Sequence, residues 1–180
     1  MIALQPTSGT AKSGWTTAAS VLDPVGLVTL PPNYLTLNKT MRTRVFGYIG
    51  TTTAQPTFTF VVAIATIAAF STGAVTTTTT AHTTVPFELE IITRVTSIGS
   101  GTSAHLTGMA RLCGLPFVVS GAVGDATASM TTLIMPNSAP AEGTGFDSTI
   151  ANILDFYVAC QTSSTSNNIR IYHYSVEALN

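Results

Sequence analysis

The strongest constraint on this chain is a two-residue period that recurs down to its last residues. In Ile153–Cys160, Leu154, Phe156, Val158 and Cys160 fall on one side of an extended chain. Ile153, Asp155, Tyr157 and Ala159 fall on the other. Strand side chains alternate in this way, whereas a helix groups positions three and four apart. Ile169, Ile171 and His173 alternate in the same manner with Arg170, Tyr172, Tyr174 and Val176. Between the two arms lies Gln161–Asn168, polar and rich in Ser, Thr and Asn, which is turn chemistry. The expectation is a terminal hairpin, with Leu154–Cys160 antiparallel to Ile169–Val176 and both faces covered.

The same period appears upstream. Met41, Val45 and Ile49 share one face, opposite Arg42, Arg44, Phe46 and Tyr48. Thr57–Ala63 places Phe58, Phe60 and Val62 together. Periodicity alone does not decide between strand and helix for Ile64–Phe70; its Thr and Ile content and the β-rich surroundings favour strand. Within Val85–Val95, Phe87, Leu89, Ile91 and Val95 oppose Glu88, Glu90, Ile92 and Arg94. Leu106, Gly108 and Ala110 share a face beyond the Ile98–Ser103 turn, and Pro116–Ser120 and Met130–Met135 read as further strands. The tract Thr76–Thr80 fits a loop or an edge strand. About eight short strands separated by turns, with no sustained helical period, predict an all-β, antiparallel β-sandwich of jelly-roll-like character, with immunoglobulin-like sandwiches as near neighbours. That single domain is expected over residues 28–180. Residues 1–27 read as an N-terminal arm or irregular lead-in, anchored by Trp15 against the body or a neighbouring subunit.

Composition narrows the function classes. Charged residues make up 8% of the chain, against roughly 25% in ordinary soluble domains. Threonine, occurring 33 times, takes much of their place and suits pleated surfaces. A net charge of −1 gives no electrostatic basis for a nucleic-acid partner. Low charge combined with a mean hydropathy of +0.40 points to permanent protein partners. The opening MIALQPTSGT lacks the basic and apolar regions of an export signal. The apolar run Phe60–Phe70 is too short for a membrane helix. The expectation is therefore a soluble product of the cytoplasm with no membrane partner. Cys113 and Cys160 are too few for a disulfide framework and read as buried free thiols.

No catalytic constellation is evident, and no cofactor or metal is expected. His82, His105 and His173 lack metal-ligand spacing, and Gly99-Ser100-Gly101 lacks the Lys and Ser or Thr of a phosphate loop. Glu88 and Glu90 on one strand face are the only carboxylate pair resembling a glycosidase requirement, and a solvated or interface strip with Arg94 is the simpler reading. Asp147 reads as a turn cap.

The ordered set Leu30-Pro31-Pro32-Asn33-Tyr34-Leu35, Met41-Arg42-Thr43-Arg44-Val45-Phe46-Gly47 and Pro56-Thr57-Phe58-Thr59-Phe60 resembles a family of tailed-phage virion proteins. Phe146-Asp147-Ser148-Thr149, Leu154-Asp155, Ser166-Asn167-Asn168-Ile169 and the final Leu179-Asn180 resemble that family's ending. Phe87-Glu88-Leu89-Glu90 stands where many members carry Trp-x-Leu-Glu. The resemblance implies a jelly-roll-like, non-enzymatic subunit located in the virion. Its first implied role is a trimeric cement or decoration protein clamping the major capsid protein; the alternative is a receptor- or glycan-binding sandwich on the tail or fibre. A subunit interface is expected at Phe46 and Tyr48, which point away from the core if Met41, Val45 and Ile49 point into it. Tyr172, Tyr174 and Trp15 are expected to extend that interface.

Overall fold

The computed structural model describes residues 2–4, 8–22, 26–118, 131–136 and 138–180. It is an antiparallel β-sandwich, and the described residues contain no α-helix. Eight strands of five residues or more build it: β5 (Thr40–Thr51), β6 (Thr57–Ile64), β7 (Ile67–Thr77), β8 (His82–Ser97), β9 (His105–Gly114), β11 (Thr131–Met135), β12 (Asn152–Cys160) and β13 (Asn168–Ala178). Short segments raise the strand count above the expected eight. They are β1 (Ala3–Leu4), β2 (Lys12–Ser13), β3 (Ala19–Ser20), β4 (Val28–Leu30) and β10 (Phe117–Val118).

Among the described residues, the seven-stranded sheet runs β1-β13-β5-β8-β9-β11, with β2 also on β13. The six-stranded sheet runs β10-β7-β6-β12-β3, with β4 also on β12. The lead-in is thus stitched to both sheets, β1 and β2 to β13 and β3 to β12; β4, just beyond it, also pairs with β12.

The expected terminal hairpin does not form. β12 pairs with β6, placing Phe156 across from Val62, while β13 pairs with β5, placing Ile169 across from Ile49. The two strands lie in opposite sheets, and the polar link between them crosses the sandwich. Asn167, fully buried in that link, donates from Nδ2 to the Thr162 carbonyl at 2.8 Å and accepts the Thr52 N–H at 3.0 Å. These bonds satisfy polar groups that the crossing buries.

Period-two alternation does predict which side chains enter the core. Met41, Val45 and Ile49, Phe58, Phe60 and Val62, and Phe87, Leu89, Ile91 and Val95 are all buried. Phe60 of one sheet meets Phe87 of the other at 5.8 Å between ring centroids, with Phe117 at 6.1 Å and Phe156 at 6.2 Å. Such offset and edge contacts suit aromatic quadrupoles. The apolar run after Phe60 resolves into a hairpin, with Ile64 across from Ile67 and Ala65–Thr66 as the turn. Both turn residues have positive φ, 49° and 75°, the left-handed backbone that a two-residue hairpin with matching twist requires.

Of the threonine tract, Thr76 and Thr77 end β7, and Thr77 and Thr78 are buried. Within the strand expected over 116–120, Phe117 and Val118 pair with Thr77 and Thr76; Ser120 lies outside the described residues, as does Met130.

Candidate interaction surface

The outward face of the seven-stranded sheet gathers most of the charged and aromatic surface that the sequence singled out. Its rows follow from the register. Ser175, Arg44, Glu90 and Arg111 stand side by side across β13, β5, β8 and β9, with Ile134 of β11 completing the row. The adjacent rows are Glu177–Arg42–Ile92–Met109 and His173–Phe46–Glu88–Cys113–Thr132. Arg170 stands across from Tyr48. All five arginines of the chain and three of its four glutamates therefore sit on one sheet face. In a chain this poor in charge, that segregation is far from an even scatter.

Two cross-strand ion pairs brace the face. Arg44 Nε donates to Glu90 Oε2 at 3.0 Å, and the Arg42 guanidinium pairs with the Glu177 carboxylate. The hydrogen bond from Arg42, then its charge, holds the Glu177 carboxyl below the usual carboxylate range. Beside these pairs, Phe46 meets His173 edge-on at 5.7 Å and Tyr48 meets Tyr172 at 5.8 Å. Arg170 lies over the Tyr172 ring at 5.4 Å, and its guanidinium also donates to the Gly9 carbonyl and Ser8 Oγ. Phe46 is 40% exposed and Tyr172 54% exposed.

Tyr174 does not join them. A β-bulge between Ile171 and His173 leaves Tyr172 without a partner on β5 and shifts the phase that follows. Tyr174 consequently pairs with Val45 and points into the sandwich, fully buried beside Phe156. Burial, and then the nearby Asp155 charge, push its phenol far above the usual range. Trp15 is also turned towards its own chain. Its Nε1–H donates to the Val158 carbonyl at 2.8 Å and its ring packs near Phe58.

Glu88 and Glu90 share the outward face as expected. Glu90 is occupied by Arg44, while Glu88 lines a shallow hollow with Phe46, Pro86, Phe87 and Cys113. Among the described residues, no three His, Cys, Asp or Glu side chains converge as metal ligands. His82 and His105 instead contact Thr78 and Ser97 hydroxyls. Asp147 does cap its turn, accepting N–H groups from Gly101 at 2.9 Å and Thr149 at 2.8 Å. Cys113 lies on the outward face and Cys160 in the core, both as free thiols; the first is only half-buried. Burial raises the Cys160 thiol above its ordinary value.

Met109, Ile134, Arg94 and Arg111 also belong to this face, and the sequence reading missed their common exposure. The available signal was that every arginine falls on the outward phase of its strand's alternation. No protein-family model, curated protein or solved structure matches this chain.

Proposed function

We propose that this chain is a non-enzymatic structural subunit of a tailed-phage virion, a cement or decoration protein that stabilises the head through contacts between subunits. One observation carries the reading: a charge-poor β-sandwich concentrates its arginines and an aromatic set, exposed Phe46 and Tyr172 with half-buried Tyr48, on one sheet face. Arg, Tyr and Phe are the residue types enriched where proteins meet. The motif order in the sequence supplies the virion context. In this reading the subunits form a homotrimer through the Phe46 end of the face and bind the major capsid protein.

Copy number tests the role. Densitometry of purified particles should find the chain at hundreds of copies, on the order expected for subunits that cover a capsid lattice. A handful per particle would assign it to the tail or fibre as a receptor- or glycan-binding sandwich.

A further inference from the structure

At the other end of the same face, the outward rows form a pattern with its own specificity. Ile92 of β8 stands directly across from Met109 of β9, and Met109 is 49% exposed. One row away along the strands is Arg94, beside Thr107; one row away in the opposite direction is Arg111, beside Glu90. An apolar pair is thus bracketed by two arginines. Among the described residues, neither Arg94 nor Arg111 forms an ion pair, since Glu90 accepts from Arg44. A groove of about 440 Å³ runs over this position, lined by Ile92, Arg94, Thr107, Gly108, Met109 and Pro140. Beside it, Ile92, Met109 and Arg111 line a smaller hollow with Ile134, itself 55% exposed.

We infer that this groove binds an extended acidic segment of a different protein, with an acid at position i, an apolar side chain at i+2 and an acid at i+4. The Arg94 row and the Arg111 row are four β8 positions apart, about 13 Å at strand rise. An extended peptide repeats the same side of its chain every second residue at that same rise. Its two carboxylates therefore meet the two guanidinium groups as its central apolar residue covers Ile92 and Met109. Arginine favours this role because its planar fork donates two parallel hydrogen bonds to one carboxylate. A second copy of the chain cannot supply the segment, because no two of its eight acidic residues are four positions apart. This inference stands on the sheet register and does not depend on the virion reading.

The test is a nuclear magnetic resonance titration of the full chain with a capped peptide containing Glu-Thr-Leu-Thr-Glu. Amide shifts at Arg94, Met109 and Arg111 are expected to saturate by about 1 mM peptide, the weak range suited to a short exposed contact. Arg94→Glu with Arg111→Glu should weaken binding roughly tenfold or more, and a Lys-Thr-Leu-Thr-Lys peptide should then bind the double variant. Both substitutions are at exposed positions, and the variant's own spectrum reports whether it is folded. Absence of shifts in the wild type overturns the inference. So does equal binding of a peptide whose acids are two residues apart, which would mean unspecific attraction. Binding of the acidic peptide that survives the double reversal places it elsewhere and also overturns the inference.

Discussion

Ser20 Oγ donates to Asp155 Oδ1 at 2.8 Å, tying β3 of the lead-in to the central part of β12. The same oxygen accepts the Phe156 N–H at 2.6 Å. Asp155 is buried, and no arginine or lysine forms an ion pair with it among the described residues. Desolvation raises its carboxyl above the ordinary value, outweighing the two hydrogen bonds that act to lower it. An acid with a raised folded-state pKa binds its proton more tightly folded than unfolded. Its stabilising contribution is therefore complete below the unfolded value and disappears as pH rises through the folded one. Asp155→Asn retains the acceptor oxygen without the charge. It should raise the melting temperature at pH 7 and have a smaller effect near pH 3; a loss of stability at pH 7 would refute this account.

Ser20→Ala examines the same contact from the other strand. Removing the donor leaves a buried carboxylate with one hydrogen bond fewer. Urea unfolding at pH 7 should show a loss of roughly 1.5–3 kcal/mol, the range for hydrogen bonds to charged groups. A change confined to a few tenths would mean that β3 contributes little to the cooperative unit.

Tyr174→Phe removes a hydroxyl that is buried and has no hydrogen-bond partner among the described residues. The ring packing against Phe156 remains, so stability should rise, or at least not fall, by on the order of 1 kcal/mol. A loss of that size in thermal unfolding would reveal a partner for the hydroxyl and contradict the packing described.

Phe60 joins the two sheets through Phe87 and has two further aromatic neighbours, Phe117 and Phe156, in its own sheet. Phe60→Ala should cost about 3–5 kcal/mol through lost burial and the cavity left behind. Denaturant midpoints measure it directly, and a cost below about 1 kcal/mol would show that the core collapses to fill the space.

Phe46→Glu with Tyr48→Lys addresses the proposed trimer. Both side chains lie on the outward face, so folding should survive while association at micromolar concentration is lost. Light scattering decides between the outcomes. A monomeric wild type rules out the trimer, and a double variant that stays trimeric removes these two residues from its interface.

Strand identity and the inward or outward direction of most side chains were legible in the sequence, because alternation is a local property of an extended backbone. Met41 to Ile49 and Phe87 to Val95 are clear cases: the apolar phase is buried and the charged phase faces outward. The carboxylate pair was placed on the outward face, but its cation is Arg44 of the neighbouring strand and not the expected Arg94 of its own. Strand partnership was not legible. Two amphipathic strands joined by a short polar link can pair with each other or enter opposite sheets, and their alternation is the same in either case. Leu154–Cys160 and Ile169–Val176 take the second course, because β6 and β5 provide their partners from about ninety residues or more upstream. The bulge at Tyr172 depends likewise on how β13 meets β5, and that single extra residue turns Tyr174 from the outward face into the core. The alignment of Arg94, Met109 and Arg111 has the same origin. Sequence places each residue on the outward phase of its strand, but only the β8–β9 register puts the apolar pair between the two charges.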